Sequence, residues 1–511
     1  MQNSLLKHYK LVLAFIIFLS FYVTLGYIPL FDLDEGAFSE ATREMLKSHN
    51  YITTYLNGDL RFDKPILIYW LQAFSVKLFG LNEFALRLPS AIASTFWAVA
   101  IYNFTKRHFD VKTAFLATLF MAGSLQITVI AKAAIADALL NMFIALSLFY
   151  LYDYLKSGKK SYLYLATVAV AFGTLTKGPV AIMVPFVTLF IYLAIKREFA
   201  LFFKTVFNPI VIAIFLIIAA PWYILEYLDQ GQKFINGFFL KHNLSRFEGS
   251  LEGHSGSLFY YIPVILIGML PFTTALLKML TKIKSYFKSD LELYLLIWGA
   301  FVFIFFSFSG TKLPHYIIYG YTPFFILMAL SFKDIKSSLS LHLPTILLFI
   351  ILLLLPFIAP VIAPNVHDKV AKILLPFVPD SFGITYKIYF ATGILILIYL
   401  AFNKQLDKIS QIVIASVLLL IGVNFFAAPS YAQLAQQPIK DAGLLAKKEN
   451  LKVVMYGINT PTFNVYAQRL VAKHKPKVGE VAFVKVTTLK EFKKYTTLYK
   501  KYGYALIKVE K

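Results

Sequence analysis

Apolar runs of roughly twenty residues, the length that spans a bilayer core, recur along this chain from its start to about position 427. A backbone crossing lipid must satisfy its own hydrogen bonds, which leaves helices or a closed barrel. The runs are continuous rather than alternating, and that selects helices. They fall near 9–29, 84–104, 112–131, 134–152, 161–177, 179–195, 207–228, 258–278, 291–309, 315–332, 343–363, 386–402 and 410–427. Only 15% of the residues are charged, against about 25% in an ordinary soluble domain. The sequence thus predicts a polytopic α-helical membrane protein with about 13 transmembrane helices. The first run follows Lys7 and Lys10 as a signal peptide would, but no small-x-small cleavage site follows it, so it is read as a retained helix.

Short loops rich in lysine and arginine stay in the cytoplasm. With the N-terminus inside, six such loops hold 17 basic residues, among them Lys106, Arg107, Lys159, Lys160, Arg197 and Lys282. The opposite orientation would put all of them outside. The loops near 30–83 and 229–257, and everything after 428, are then expected on the outer face. In the first of these loops, "GAFSEATREMLKS" and "KPILIYWLQAFSVKLFG" read as helices lying in the interface, with Arg43 and Glu44 on a solvated face. Tyr69 and Trp70 read as interface-anchoring aromatics, or as contacts to a sugar or lipid.

Residues 1–428 are read as one transmembrane domain and residues 429–511 as a small basic α/β domain outside the membrane. In this tail "LKVVMYGI", "VAFVKV" and "YALIKVEK" look like strands, while "TPTFNVYAQRLVAK" and "TLKEFKKYTTLYKKYG" look like helices. Its 16 basic and 5 acidic residues give a net charge of +11. That charge suits solubility and repulsion between copies, or attraction to an anionic outer surface. No internal repeat of the kind that builds many transporters stands out.

On this topology the awkward polar residues gather on one face. Asp34 and Glu35 follow the first run, Asp63 and Lys64 lie in "LRFDKPILIYW", and Lys132 and Asp137 flank a turn. Lys177 closes the next one, His242, Arg246 and His254 lie in the second outer loop, and Lys312 and His315 belong to "GTKLPHY". A charge at the centre of a membrane helix costs about 2.5 to 3.5 kcal/mol. One lysine near a span end is ordinary snorkelling, but a set arriving from five turns at one depth marks a site.

The chain has no cysteine, which excludes thiolate nucleophiles, disulfides and Cys-ligated metal sites. Carboxylates beside cations suit a reaction in which an acid takes a proton or stabilises positive charge while cations hold a leaving phosphate. A lipid phosphate lies at this depth. A nucleotide fits poorly, because no phosphate-binding loop or dinucleotide fingerprint is present. "DLD", Asp32 to Asp34, has the D-x-D spacing of metal-dependent sugar transferases, but the chemistry read here requires neither a metal nor a cofactor. A nucleic acid partner is not expected.

"DLDEGAFSEATREML", "RFDKPILIYWL", "FFLKHNLSRF" and "TKLPHYIIYGYTPFF" together resemble the GT-C glycosyltransferases, and most closely the branch of lipid A aminoarabinose transferases and protein O-mannosyltransferases. The resemblance covers about residues 10–335. It implies that Asp34 and Glu35 form the catalytic acid signature, with Asp137 as the acid opening the fourth span. It also implies that Lys64 of the "F-E-K-P" element, here Phe62 to Pro65, holds a donor phosphate, and it matches the "K-L-P" turn to Lys312, Leu313 and Pro314. Lys312 and Arg246 are expected to join Lys64 at the phosphate, while Asp63, His315, Tyr69, His242 and His254 shape the site. The chain departs from the aminoarabinose branch in carrying Ala37 where that branch has arginine, and Asp63 where it has glutamate.

The expectation is therefore a glycosyltransferase moving one sugar from a polyprenyl (undecaprenyl) phosphate to a lipid A-type glycolipid or other envelope acceptor. It would sit in the bacterial inner membrane with its site on the periplasmic face. The alternatives are a protein O-glycosyltransferase of the same superfamily and a lipid-linked saccharide flippase or transporter. A non-catalytic scaffold leaves Asp34, Lys64 and Lys312 unexplained.

Overall fold

The computed structural model describes residues 8–244 and 256–511. Eight helices among them are long and apolar enough to cross a membrane, or up to nine if Val111–Gly123 and Leu125–Ala131, bent by 66°, form one span. The protein is thus a polytopic, mostly helical membrane protein.

Several expected runs divide. The run at 9–29 is an α-helix, Tyr9–Ile17, continued by a π-helical turn, Phe18–Tyr22. That at 258–278 splits into Tyr261–Gly268 and Thr273–Leu280 around Pro271. The breaks support one another, because the Leu125 N–H donates across the gap to the Leu270 carbonyl at 2.9 Å. Non-helical backbone at membrane depth survives where protein rather than lipid satisfies it. Hydropathy does not reveal such a break, since apolar residues continue on both sides of it.

The segment between the first apolar run and the helix Glu83–His108 holds the helix Asp34–Ser48, a short hairpin of Tyr55–Leu56 with Asp59–Leu60, and the helix Leu67–Phe79. The Asp34 helix does not lie half-immersed in an interface, for every residue from Glu35 to Met45 is buried. Arg43 and Glu44 are likewise not a solvated face. Arg43 forks onto Glu40 at 2.6 and 2.7 Å, and Glu44 accepts the backbone N–H groups of Asn57 and Gly58. Tyr69 is fully buried beneath Phe38, whereas Trp70 stays half-exposed and donates to the Tyr51 carbonyl at 2.7 Å.

The last membrane helix runs from Lys408 to Ala435 through a π-helical stretch, Gly422–Ala427, and Gln437–Lys448 follows. Beyond it lies a five-stranded sheet whose spatial order is Ala472–Lys473, Val453–Tyr456, Val481–Lys485, Tyr504–Val509, Tyr495–Lys501. Its first three strands are parallel and the last two pair antiparallel. Three strands lie where the sequence puts them. The segment read as the helix "TLKEFKKYTTLYKKYG" is instead a 3-10 turn, Val486–Glu491, followed by the edge strand Tyr495–Lys501. Its Tyr-Thr-Thr-Leu-Tyr core favours extended backbone, and the turn at Tyr502 and Gly503 folds it against Tyr504–Val509. The helix expected over 460–473 stops at Ala467, where Gln468 takes a left-handed φ of 53°.

Candidate active site

The acidic stretch leaving the first helical run is anchored on two sides. On the membrane side, Arg87 of the helix Glu83–His108 grips Glu35 bidentately at 2.7 and 2.8 Å and donates to the carbonyls of Leu25, Ile28 and Pro29. Glu35 also accepts the N–H groups of Phe31 and Ala134, both at 2.8 Å. Both its oxygens are thus committed to holding the loop. On the other side, Asp32 receives the backbone N–H of Thr462 at 3.0 Å and its hydroxyl at 2.5 Å. Burial pushes the Asp32 carboxyl up to about 7, against these two bonds and with a further rise from the charge of Glu35. Gly36 is required here, because a Cβ on it would lie 2.5 Å from Asp32 Oδ1 and 2.8 Å from Thr462 N.

Asp34 sits between these anchors as the first residue of its helix. It is exposed, and no described residue donates a hydrogen bond to it. It borders a cavity of about 460 Å³ shared with Asp32, Arg87, Lys132, Asn424 and Tyr431. Lys132 donates to Asn424, which in turn donates to the Leu19 carbonyl at 2.7 Å.

A second group forms where three other segments meet. Asp137, opening the helix Asp137–Ser157, accepts from Lys177 at 2.6 Å and from the Tyr319 hydroxyl at 2.8 Å, and lies 3.9 Å from His315 Nε2. The Lys177 ammonium also stands over the rings of Tyr316 and Tyr319, 5.6 and 5.4 Å from their centroids. Asp34 and Lys64 lie close enough for their charges to act on His315, so residues from five stretches converge.

The "RFDKP" turn completes this side. Arg61 pairs with Asp63 at 3.1 Å, donates to the Tyr69 hydroxyl at 3.3 Å and stands over the Phe38 ring. Asp34's charge reaches Arg61 and Tyr69 as well. Lys64 Nζ donates to the Asp63 carbonyl at 2.9 Å. Gly237 lets the π-helical segment Ile235–Leu244 approach this turn, since a Cβ there would stand 2.5 Å from the Phe62 ring. Lys312 is buried with its ammonium on the Ser309 carbonyl at 2.8 Å, not on the Asp137 group. Arg246, His254 and the side chain of His242 lie outside the described residues.

Sequence reasoning missed Arg61, Arg87, Tyr319 and Thr462. Arg87 carried a signal, being an arginine within an apolar run, where a buried charge needs a partner. Thr462 carried none, 430 positions from its partner.

Residues 63–225 match the family model described as dolichyl-phosphate-mannose-protein mannosyltransferase. A curated relative, the undecaprenyl phosphate-alpha-4-amino-4-deoxy-L-arabinose arabinosyl transferase of Wigglesworthia glossinidia brevipalpis, is 31% identical over 344 residues. That match covers 64% of this chain and 59% of the relative's own length. The crystal structure of ArnT from Cupriavidus metallidurans bound to undecaprenyl phosphate superposes with a TM-score of 0.77 at 20% identity, covering 99% of this chain and 98% of that one. The apo oligosaccharyltransferase of Archaeoglobus fulgidus gives 0.52 at 13% identity over 92% and 65%. The fold is therefore shared with these two membrane proteins. By sequence the chain resembles the GT-C glycosyltransferases, and among them the aminoarabinose transferases, as the motifs around Asp34 and Lys64 led one to expect.

Proposed function

We propose that this protein transfers a single sugar from a polyprenyl phosphate to an envelope acceptor, with Asp34 at the reacting centre. One observation carries the reading. Asp34 is an exposed carboxylate without a hydrogen bond from any described residue, on a loop fixed at both flanks, between a cavity and a convergence of Lys64, Arg61, Lys177 and His315. The acceptor oxygen forms a bond to the anomeric carbon as the bond from that carbon to the phosphate oxygen breaks. The acceptor's proton passes to Asp34, and the polyprenyl phosphate departs with its charge matched by Lys64, Lys312 and Arg246. Asp137 acts through Lys177 and His315, which it orients, and Glu35 acts by fixing the loop. The relative from Wigglesworthia and the ArnT structure favour undecaprenyl phosphate as donor, and lipid A or a similar glycolipid as acceptor follows from the same resemblance. The match to the mannosyltransferase family model supports a protein acceptor as the second reading.

In this reading the chain crosses the bacterial inner membrane about 13 times, the shorter and broken helices included, with the site on the periplasmic face. Residues 1–428 form the membrane domain and 429–511 the outer one. The test is transfer by protein reconstituted in nanodiscs, supplied with labelled undecaprenyl phosphate sugars and extracted envelope lipids or proteins. Asp34→Asn should lower turnover at least about 100-fold while the protein elutes and melts as the parent does. Near-normal turnover of that variant removes Asp34 from the chemistry.

A further inference from the structure

The tail read from sequence as a small basic domain does something more specific in three dimensions. Four of its groups grip the segment that carries the reacting acid. Thr462 takes both oxygens of Asp32, Tyr466 accepts the Leu30 N–H at 2.9 Å, Gln436 accepts the Asp32 N–H at 3.4 Å, and the Tyr431 ring stacks on Phe31 with centroids 5.9 Å apart. Tyr466 is itself held, donating to Glu83, which also receives Lys440 at 2.6 Å. The absent Cβ at Gly36 is what lets the Pro461–Ala467 helix come this near, with Thr462 Cγ2 only 2.7 Å from where that atom would stand.

We infer that Thr462 is a positioning residue for Asp34, acting through Asp32. The inference rests on the role given to Asp34 above. The acid segment has two jaws. The Arg87–Glu35 fork fixes the residue after Asp34, and the Thr462–Asp32 pair fixes the residue two before it, so the unbonded carboxylate between them has little freedom to wander. Without the Thr462 hydroxyl the Asp32 carboxylate keeps only the Thr462 backbone N–H, and the second jaw holds Asp34 more loosely than the first. The donor-phosphate lysines belong to other segments, and releasing this jaw does not move them. The expected signature is a lowered kcat with donor KM unchanged.

The test uses the full chain in nanodiscs, with three proteins and two readouts. Thr462→Val keeps the volume and removes the hydroxyl donor, and Thr462→Ser restores that donor. Because the chain has no native cysteine, a nitroxide on Leu33→Cys, a side chain 52% exposed, reports the order of the acid segment without any activity. Thr462→Val should lower kcat about 10- to 100-fold, the scale of a misplaced catalytic group, with donor KM within about twofold, and should sharpen the label's spectrum. Thr462→Ser should recover both. The inference is overturned if Thr462→Val keeps its kcat, if kcat falls while the label stays as immobile as in the parent, or if serine does no better than valine. A parent without transferase activity would defeat the proposed function alone. The label would then decide the jaw by itself, loosening supporting it and an unchanged spectrum refuting it.

Discussion

Arg87→Met should be among the most damaging single changes in this protein. The guanidinium makes five hydrogen bonds, two to Glu35 and one each to the carbonyls of Leu25, Ile28 and Pro29. Methionine fills much of the space but leaves Glu35, 5% exposed, as a buried anion with two backbone N–H partners. Breaking a buried pair from one side costs about 3 to 5 kcal/mol. Glu35→Gln should be milder, because Arg87 keeps its three carbonyls and loses only the charge-assisted part of two bonds. A hydrogen bond to a charged group is worth about 1.5 to 3 kcal/mol. The double variant buries no charge, so its loss should fall short of the summed single losses by at least about 1 kcal/mol, within the range seen for contacting residues. Reversible unfolding in mixed detergent and SDS micelles, followed by tryptophan fluorescence, gives all three values. Additivity within about 0.5 kcal/mol, or a glutamine variant as damaged as the methionine one, would mean that the fork does not hold the acid loop as described.

Three further outcomes are expected. Lys64→Ala and Lys312→Ala should each lower kcat/KM about 10- to 150-fold, from the loss of one hydrogen bond to a charged group. Charge removal at the exposed Lys493 and Lys494 should act weakly and fade with salt, and equal, equally salt-sensitive losses at all four sites would refute phosphate binding by the first two. Burial raises the docked Asp32 carboxyl from 3.8 to about 7, so the docked state binds that proton more tightly. Docking of the C-terminal sheet is then fully supported below about pH 4 and weakens as pH rises through about 7. Limited proteolysis of the Gln437–Lys448 helix should run faster at pH 8 than at pH 5, and Asp32→Asn, which keeps a donor and an acceptor for Thr462, should flatten the difference. Cysteines placed at the exposed His49 and Lys477 should react with an impermeant thiol reagent on intact cells while one at the exposed Ser157 does not, and labelling at Ser157 would invert the topology.

The sequence made the membrane class legible, along with the acid-bearing stretch and the convergence of Asp34, Lys64, Asp137 and His315. Each of these rests on a pattern local to the chain: a run of apolar residues, a charge where charge is costly, or a motif. What stayed hidden depends on contacts between distant segments. The strand Tyr495–Lys501 is spaced like a helix and becomes a strand because Tyr504–Val509 offers it an edge. Asp32 and Glu35 look like part of one acidic triad with Asp34, yet their partners, Thr462 and Arg87, turn two of the three acids into anchors. Composition cannot separate a reacting acid from a holding one, since the difference lies in which oxygens are already bonded.

The 430 residues between Asp32 and Thr462 also set a clock. At about 5 to 20 residues per second, the ribosome delivers Thr462 some 20 to 90 s after Asp32. A nascent chain with Asp34 and Lys64 already threaded into the membrane lacks its second jaw until Thr462 is made. A chain stalled or truncated before position 462 would carry an acid segment without its Thr462–Asp32 pair.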